Sequence, residues 1–452
     1  MPPGPLTLDE LRAGVADGTI DTVVLAIVDL QGRLQGKRFD AEFFVDEIAA
    51  HGTEGCNYLL AVDIEMNTVG GYTMSSWERG YGDFAIHPDF ATLRRVPWQP
   101  GTTLLLGDAR WLDESPVVES PRQVLKQQLQ RLAERGWQAM VGTELEFIVF
   151  DDSYEAAWSK HYADLTPANQ YNVDYSILGT SRVEPLLRAI RLGMRDAGMQ
   201  VESAKGECNL GQHEIAFKYT DALGTCDNHV IYKNGAKEIA ALHGSSLTFM
   251  AKYNEREGNS CHIHLSLRDA DSNPVFAGDR PGGVSAVFEH FLAGQLHGLR
   301  ELSYFFAPNI NSYKRFQAGS FAPTAVQWGL DNRTCALRVI GQGSSLRFEN
   351  RVPGGDVNPY LAVAAMIAAG LHGVDEELPL DEPNAGNAYV SDSPRVPTSL
   401  HEAARLLEQS KLARAALGDA VVDHYSNAAR VEIAAFDSSV TDWERFRSFE
   451  RM

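Results

Sequence analysis

The stretch Val141-Gly-Thr-Glu-Leu-Glu-Phe-Ile-Val-Phe150 has the pattern of an apolar strand that carries two carboxylates two residues apart. Successive side chains of a strand point to opposite faces of the sheet, so Glu144 and Glu146 emerge on the same face. Two carboxylates on one apolar face repel each other, and a bound cation would relieve that repulsion. The stretch therefore predicts a strand that contributes to a metal site.

Two further stretches, 261–267 and 346–351, repeat this pattern of charged residues two positions apart. A single strand of this kind is the ordinary solvent-facing side of a sheet. Three strands that combine acids, imidazoles and guanidiniums instead favour the wall of a polar cavity that binds metal and phosphate. The residues that share a face are His262 and His264 in the first stretch, and Arg347, Glu349 and Arg351 in the second.

Length and composition restrict the kind of protein. A chain of 452 residues is too long for one compact core, so we expect two domains. The hydrophobic content of 44% and the charged content of 22% are typical of soluble globular proteins. The formal net charge of -20 disfavours nucleic acid or an anionic membrane as a partner, because either would require a basic surface.

The cysteines and the apolar segments predict a cytoplasmic protein. Five cysteines are scattered without Cys-x-x-Cys spacing, which is typical of reduced thiols and implies no zinc site. Residues 1–20 contain no continuous apolar segment of a secretion signal. The run Pro359–Val374 is too short to span a bilayer, and Asn358 before Pro359 predicts the start of a buried helix.

The order of patterns along the chain predicts an α+β protein. Residues 1–112 contain β-like runs at 22–28 and 102–106 and form a small mixed β domain. Residues 113–452 alternate helical stretches with the charged strands and form a larger catalytic domain built on an antiparallel sheet. Helices are predicted over 121–135, 184–197, 227–243 and 284–302, the first beginning after Ser120 as N-cap.

Two more acids complete a candidate metal centre. Glu207 and Glu214 flank a glycine turn between the first two charged strands. With Glu144, Glu146, Glu349 and His262 they form a set of five carboxylates and one imidazole, which suits Mg²⁺ or Mn²⁺ better than zinc. Six ligands are too many for one Mg²⁺, so two ions are the natural count. Groups that would then face nucleotide phosphates are Arg338, Arg347, Arg351 and His264.

Solvated salt bridges along exposed strands are the alternative explanation for each of these residues taken singly. The regular alternation with apolar neighbours favours a shared cavity for the whole set.

Seven motifs also occur in a characteristic order: Gly142-x-Glu-x-Glu-Phe147, Glu207…Gly211-Gln212-x-Glu214, His262-x-His264-x-Ser266, Asn311-Ser-Tyr-Lys-Arg315, Ala322-Pro323, Asn332-Arg333 and Arg347-x-Glu349-x-Arg351.

This order resembles the glutamine synthetase family in its bacterial type I architecture, over nearly the whole chain. The resemblance implies a small N-terminal β-grasp-like domain and a catalytic domain whose antiparallel sheet forms a metal-lined funnel. It also implies that ATP activates the γ-carboxylate of L-glutamate as γ-glutamyl phosphate, which an amine then attacks. Two to three Mg²⁺ or Mn²⁺ ions would support this reaction.

The resemblance assigns a role to each matched residue. Glu146, Glu207 and Glu214 match the ligands of a first metal, and Glu144, His262 and Glu349 match those of a second metal nearer the ATP phosphates. Arg315 matches the arginine that holds the α-carboxylate of glutamate, and Gly258 a loop glycine beside its amino end. Nucleotide contacts are implied for His264, Ser266, Arg338 and Arg347, and contacts to the transferred phosphoryl group and the glutamate carboxylates for Arg333 and Arg351.

Two departures from the family pattern concern the amine. Ammonia-using members carry an Asp-Gly-Ser-Ser segment lent by a neighbouring subunit, whereas this chain has Met74-Ser-Ser-Trp-Glu-Arg-Gly-Tyr-Gly-Asp83. Asp83 matches a nearby family acid, but the Asp-Gly pair is missing. Those members also carry a glutamate two residues before the proline of a flap loop, which in this chain is Gly319-Ser-Phe-Ala-Pro323, and this chain has Phe321 at that position. The phenyl ring removes a counter-charge for ammonium and a proton acceptor.

We therefore predict a ligase that joins glutamate to an organic amine, similar to the γ-glutamylpolyamine, γ-glutamylethanolamide and γ-glutamylmethylamide synthetases. Acids near the N-terminal segment would meet the cationic amine, and aromatic rings would shape its carbon part. The alternatives are an ordinary ammonia-using enzyme, a catalytically silent homologue, and a Phe321 that only packs the flap. The residues of the predicted amine pocket are Asp63, Glu65, Glu78 and Asp83, with Trp77, Tyr81 and Phe321.

The resemblance also bears on assembly and regulation. Family members are dodecamers of two stacked hexameric rings whose active sites are shared between adjacent subunits, so a homo-oligomer is expected. Tyr389 lies where some type I enzymes carry an adenylylated tyrosine. The residues that follow it, Val-Ser-Asp-Ser, differ from the family's Asp-Leu-Pro-Pro context, so we do not expect that control here.

Overall fold

The computed structural model describes residues 5–452 and contains two β-sheets with helices packed around them. The first sheet is formed by β1 (Thr22–Val28), β2 (Leu34–Asp40), β3 (Thr53–Cys56), β4 (Asp83–Pro88), β5 (Arg94–Arg95) and β6 (Thr102–Arg110). Its helices are α1 (Leu8–Ala16), α2 (Ala41–Phe43) and α3 (Ala49–His51), with a π-helical turn at Phe44–Ile48.

The first sheet has the strand order β2-β1-β6-β4-β3, and β5 pairs with β6. Its β1 and β6 are parallel, whereas the other pairs are antiparallel. This mixed sheet confirms the predicted β-grasp-like fold. The predicted strand at 22–28 is confirmed with the same bounds, and the strand predicted at 102–106 continues to Arg110.

The second sheet carries the charged strands. It is formed by β7 (Trp137–Phe150), β8 (Val201–Gly206), β9 (Gln212–Phe217), β10 (Thr220–Asp221), β11 (Ser246–Thr248), β12 (Cys261–Asp269), β14 (Trp328–Leu330), β15 (Leu337–Ile340) and β16 (Arg347–Asn350). The short β13 (Ala277–Arg280) bridges instead to Val284. The order is β14-β15-β16-β12-β7-β9-β8, with β10 and β11 also on β7. Only β14 and β15 are parallel to each other in this sheet, which forms the predicted funnel.

The remaining helices lie after the first sheet in the chain, before, between and after the strands of the second sheet. They are α4 (Pro121–Ala133), α5 (Tyr154–Ser159), α6 (Ile177–Thr180), α7 (Glu184–Asp196), α8 (Ala222–Leu242), α9 (Ala286–Gly298), α10 (Ser303–Phe306), α11 (Pro359–Asp375), α12 (Leu400–Gln409), α13 (Lys411–Leu417), α14 (Asp419–Asp437) and α15 (Asp442–Ser448). Short 3₁₀ turns occur at Asn57–Leu60, Phe90–Thr92, Ile310–Arg315, Gly343–Ser345 and Ala388–Val390.

The predicted helices occur, with shifted ends. α4 ends at Ala133, and Ser120 occupies the N-cap position without a side-chain hydrogen bond to the helix. α8 begins five residues before its predicted start, because the carboxylate of Asp221 accepts a hydrogen bond from the Gly224 N–H and caps the helix. α9 is shorter than predicted at both ends.

The apolar helix α11 is the centre of the larger core. The side chain of Asn358 accepts a hydrogen bond from the Tyr360 N–H, which confirms the predicted N-cap. Nearly every residue of α11 is buried, and the helix packs on α9, α4 and α13. A side chain at Gly294 of α9 would meet the Ala369 carbonyl of α11 at 2.1 Å, so glycine is what permits this close helix contact.

A buried ion-pair network joins the first sheet to the helices of the larger part. Arg122 of α4 donates to Asp108 Oδ1 at 2.6 Å, to Asp89 Oδ2 at 2.7 Å and to both oxygens of Asp227 at 3.0 Å. The Tyr360 hydroxyl donates to Asp227 Oδ1 at 2.6 Å. The two sheets lie within the predicted segments 1–112 and 113–452, whose boundary remains a prediction.

Among the described residues 5–452, no helix combines the length and the apolar character that crossing a membrane requires. The five cysteines are all free.

Candidate active site

Strand register brings the predicted ligands together around β7. Glu144 lies opposite His262 of β12, and Glu146 lies opposite Glu214 of β9. On the other side of β12, His264 lies opposite Glu349 of β16. Directly opposite side chains in an antiparallel pair are close neighbours, so the register brings these ligands together in pairs.

The first cluster consists of Glu146, Glu207 and Glu214, whose carboxylate oxygens lie within 4.8 Å of one another. Glu146 and Glu214 are buried. Glu146 Oε2 accepts hydrogen bonds from the Ser260 N–H at 2.7 Å and from Gln212 Nε2 at 3.0 Å, which fix its orientation. Three carboxylates held this close repel one another unless a cation lies between them.

Electrostatics of the first cluster fit a divalent cation. Burial raises the pKa of Glu214 to about 8, and the charges of Glu144 and Glu146 add to that rise. Lys205 partly offsets it, since its ammonium hydrogen-bonds Glu207 and lies 3.7 Å from Glu214 Oε1. An all-oxygen donor set with excess negative charge is the kind that binds Mg²⁺ or Mn²⁺.

The second cluster consists of Glu144, His262 and Glu349, again within 4.8 Å. His262 Nδ1 lies 3.2 Å from Glu144 Oε2 and 3.2 Å from Glu349 Oε1. Burial and the nearby Arg351 lower the pKa of His262, which keeps the imidazole neutral, the form that binds metals. Burial alone raises the pKa of Glu144, but hydrogen bonds from His262 and His264 outweigh it and lower the pKa.

Two guanidiniums converge on the buried Glu349. Arg351 Nη1 donates to Glu349 Oε1 at 2.5 Å, and Arg338 Nη1 donates to Glu349 Oε2 at 3.0 Å. Arg338 also binds Asp331 through its Nε at 2.9 Å and its Nη2 at 2.6 Å. Arg338 therefore lies at the second cluster and not among the residues that line the cavity described below.

Arg315 lies buried at the end of the turn Ile310–Arg315. Its Nη1 donates to Ser260 Oγ at 3.1 Å, its Nη2 donates to the Val352 carbonyl, and its Nε has no hydrogen-bond partner among the described residues. A side chain at Gly258 would meet Arg315 Cγ at 2.8 Å and the Ala251 carbonyl at 2.2 Å. Glycine at 258 thus leaves room for the guanidinium stem, and the roles of both residues in glutamate binding stay predictions.

A cavity of about 430 Å³ opens beside the second cluster. It is lined by Glu144 and by three of the four predicted nucleotide contacts, His264, Ser266 and Arg347. His264 Nε2 lies 3.0 Å from Glu144 Oε1, and Arg347 Nε lies 3.3 Å from His264 Nδ1, so a polar chain connects cavity and cluster. Further lining residues that the sequence did not single out include Glu202, Tyr219, Arg268 and Ser344.

Phe321 projects from the flap with 55% of its surface exposed. Its φ of 58° is in the left-handed region that favours glycine, and a bulky residue there is strained. The Phe321 carbonyl accepts a hydrogen bond from Arg351 Nη2 at 3.4 Å. The same arginine therefore contacts the flap and the second cluster, which places the backbone of Phe321 at the edge of the second cluster.

Several predicted residues are not brought to the clusters within one chain. Arg333 is exposed and lies 4.0 Å from Asp331. Asp83 is exposed at the start of β4, opposite Cys56. The other predicted amine-pocket residues of the first domain lie in the segment before Asp83, where the rings of Trp77 and Tyr81 meet edge to face at 5.0 Å.

Tyr389 lies in the turn Ala388–Val390 beside the flap. Its hydroxyl is buried. Burial raises the pKa of Tyr389, and the charge of Arg351 partly offsets the rise. The absence of adenylylation at Tyr389 stays a prediction.

Sequence reasoning missed Lys205 and the supporting Ser260. Lys205 stands two residues before Glu207, a spacing that on an extended chain places both side chains on one face. This spacing could have indicated from the sequence alone that Lys205 lies beside Glu207. Ser260 acts through its backbone N–H and its hydroxyl, and neither contact is visible in a residue pattern.

Comparison with known proteins agrees with this geometry. Residues 118–448 match the glutamine synthetase catalytic domain. The gamma-glutamylethanolamide synthetase GlnA4 of Streptomyces coelicolor is 68% identical over 448 residues, which cover 99% of this chain and 96% of that protein. A glutamate–isopropylamine ligase of a Pseudomonas species is 39% identical, and the match covers 97% of each chain.

The fold agrees equally well with a solved structure. The structure of GmaS in complex with ADP superposes with a TM-score of 0.86 at 28% identity, covering 97% of this chain and 99% of that one. The profile match, the identity along the whole chain and the shared fold lead to one conclusion. The chain belongs to the glutamine synthetase family.

Proposed function

We propose that the protein is an ATP-dependent ligase that joins the γ-carboxylate of L-glutamate to a small organic amine, giving a γ-glutamylamide, ADP and phosphate. The relatives that act on ethanolamine and isopropylamine bear out the predicted class of glutamate–amine ligase. The observation that supports the proposal is Phe321, a half-exposed residue whose carbonyl contacts Arg351 beside the second cluster, at the position where the ammonia-using enzymes carry a carboxylate.

The reaction follows from the two steps that the family implies. An oxygen of the γ-carboxylate attacks the γ-phosphorus of ATP and ADP leaves, which gives γ-glutamyl phosphate. The lone pair of the amine nitrogen then attacks the γ-carbonyl carbon, phosphate leaves with the carbon–oxygen bond's electron pair, and the nitrogen loses a proton. Divalent ions held by the first and second clusters would neutralise charge on the phosphates and the γ-carboxylate.

The chain's own cations hold the reactants in place. Arg315, a buried guanidinium with an unpaired Nε, is suited to the α-carboxylate of glutamate. His264 and Arg347 line the cavity and would face a nucleotide bound there. Arg351 contacts both Glu349 and the flap, so it is positioned to stabilise charge that develops on the transferred phosphoryl group.

The amine pocket is completed by a neighbouring copy in this proposal. Asp83 and the acids Asp63, Glu65 and Glu78 lie in the first domain and contact neither cluster within the chain. A ring-shaped homo-oligomer, a dodecamer in the family's type I architecture, would bring these acids against Phe321 of the next subunit. We further propose that the enzyme acts in the cytoplasm.

Phosphate release by the purified protein tests this function. ATP, Mg²⁺ and L-glutamate are supplied with ethanolamine, methylamine, isopropylamine or a polyamine, or with ammonium. At least one organic amine should give a higher kcat/KM than ammonium. A kcat/KM that is highest with ammonium would refute the proposal that an organic amine is the preferred substrate. Phosphate release no higher than in the protein-free control would indicate a catalytically silent homologue.

A further inference from the structure

The flap (residues 319–323) is anchored at its C-terminal end. Phe321 is more than half exposed and has a φ of 58°, whereas Ala322 and Pro323 directly after it are buried. A bulky residue keeps such a left-handed conformation only where its surroundings hold it in place. The contacts that follow Pro323 therefore bear on the position of Phe321.

A short antiparallel bridge supplies part of this anchor. Ala325 pairs with Arg395, and the Val396 N–H donates to the Thr324 carbonyl at 3.2 Å. Ala325 and Val396 are both buried. The segment that leaves the flap is thus fixed against a segment about 70 residues further along the chain.

The side chain of Arg395 extends the anchor to a neighbouring turn. Its Nη1 donates to Thr324 Oγ1 at 3.4 Å and to the Tyr389 carbonyl at 3.1 Å, and its Nη2 donates to the Ser391 carbonyl at 2.6 Å. A guanidinium is a rigid fork of donors, which suits it to hold two segments at a set distance. One side chain therefore ties the residue after the flap to the turn Ala388–Val390.

That turn in its place lies against the flap and the second cluster. The hydroxyl of Tyr389 is buried. Burial raises the pKa of Tyr389, whereas the charge of Arg351 and the nearby backbone of Phe321 lower it, so the hydroxyl lies beside both. Arg351 Nη2 also donates to the Phe321 carbonyl at 3.4 Å. The contacts that begin at Arg395 thus lead through the turn to the backbone of Phe321.

We propose that Arg395 is a positioning residue for the amine, because it holds the flap to the Tyr389 turn and so keeps Phe321 beside Arg351. The inference rests on the proposed function, in which Phe321 helps to select the amine. Without the guanidinium, the flap spends less time in the competent position, and the apparent KM for the amine rises as that fraction falls. ATP is held elsewhere in the proposal, in the cavity of about 430 Å³, so its KM should not follow.

Steady-state kinetics of Arg395→Met test the proposal, because methionine keeps an apolar stem and removes the donors. We expect the KM for ethanolamine to rise at least about fivefold and the KM for ATP to stay within about twofold, since the lost hydrogen bonds act on the flap alone. Thr324→Val removes only the hydroxyl acceptor and should raise the KM for ethanolamine less. Added to Arg395→Met it should have no further effect, because both changes break the same contact.

The matched control is Arg414→Met. The guanidinium of Arg414 also binds a backbone carbonyl, that of Glu408, at 3.0 Å, but on α13. Its loss should leave the KM values for ethanolamine and ATP unchanged.

Chymotrypsin gives a second readout that does not depend on turnover. Cleavage after Phe321 in the native protein, quantified by mass spectrometry, reports how often the flap opens. Cleavage after Phe446, an exposed residue of α15, is the internal reference. Faster cleavage after Phe321 in Arg395→Met, with an unchanged rate at Phe446, supports the proposal.

Equal rises in the KM for ethanolamine and for ATP would overturn the proposal, as would cleavage after Phe321 no faster than in the unchanged protein. If the unchanged protein prefers ammonium, the proposed function fails, and that failure is distinguishable. The same comparison of KM values is then made with ammonium, and the cleavage rate still decides whether Arg395 holds the flap.

Discussion

Glu146 of β7 lies directly opposite Glu214 of β9, and both carboxylates are buried. A strand register that pairs two buried acids is unfavourable on its own, because burial and mutual repulsion both oppose ionisation. Burial raises the pKa of Glu214 to about 8, and the charge of Glu146 contributes. Glu207 adds a third carboxylate within 4.8 Å. This pairing is the reason that the first cluster is expected to hold a divalent ion.

Replacement of one partner should remove that ion and the activity. In Glu146→Gln the amide oxygen can still accept the Ser260 N–H, so the fold should be retained. We expect kcat/KM for glutamate to fall at least about 100-fold, since even supporting groups around a metal cost ten- to a hundredfold. Mn²⁺ titration followed by electron paramagnetic resonance should show one fewer ion per chain. Glu42→Gln, an exposed acid of α2, is the control, and near-normal turnover of Glu146→Gln would remove Glu146 from the site.

A side chain at position 258 should weaken glutamate binding. The Cβ of Gly258→Ala would lie 2.2 Å from the Ala251 carbonyl and 2.8 Å from Arg315 Cγ, so the loop or the arginine must move. We expect the KM for glutamate to rise at least about tenfold, with a smaller change in the KM for ATP and a stability loss of about 1–3 kcal/mol. Steady-state kinetics with each substrate varied in turn measure the split.

The control for this change is Gly70→Ala, because a Cβ at Gly70 meets no atom within 4 Å. Equal rises in the KM for glutamate and for ATP in Gly258→Ala would contradict a specific role beside Arg315.

A carboxylate at position 321 should restore a preference for ammonium. Phe321→Glu replaces an exposed phenyl ring by the counter-charge that ammonia-using members of the family carry at this place. We expect the ratio of kcat/KM for ammonium to that for ethanolamine to rise by about tenfold or more. Leu330→Glu, an exposed residue of β14, adds the same charge elsewhere and should leave the ratio unchanged. A ratio that moves equally in both variants would argue against Phe321 as a specificity residue.

Acid should destabilise the protein through His424. This side chain is buried between Tyr72 and Tyr425, and burial lowers its pKa to about 3. The unfolded chain binds a proton near pH 6.5, whereas the folded chain does not, so stability is lost as the pH falls below about 6.5. The loss amounts to about 2 kcal/mol at pH 5 for this one group.

Thermal unfolding at pH 7.5 and pH 5 checks this prediction. His424→Gln should show a smaller decrease in melting temperature between the two pH values than the unchanged protein, whatever its stability at pH 7.5. His51→Gln, at an exposed histidine, should show the full decrease. An equal decrease in His424→Gln would assign the acid sensitivity to other groups.

The sequence predicted the composition of the site because its strands are regular. In β7 and β12 the ligands stand two residues apart, so alternation alone puts Glu144 beside Glu146 and His262 beside His264. The assignment of the ligands to two groups came from the family resemblance, and the structure brings the same residues together. Their roles as metal ligands remain predictions.

The features of the site that the sequence did not predict depend on contacts between segments that are distant in the chain. The register that places Glu146 opposite Glu214 depends on pairing between strands about 70 residues apart, which no local pattern determines. The link from Arg351 to Phe321 joins a strand end to a flap through a backbone carbonyl. The position of Asp83 relative to the clusters involves a second subunit in our proposal, and a single chain does not contain that contact.

Competition between ethanolamine and ammonium for the activated glutamate measures the preferred amine in one reaction. The protein is given ATP, Mg²⁺ and L-glutamate with ethanolamine and ammonium in equal concentration, and the products are quantified by mass spectrometry at low conversion. We expect γ-glutamylethanolamide to exceed glutamine by at least about tenfold. Glutamine as the main product would refute the proposal that an organic amine is the preferred substrate.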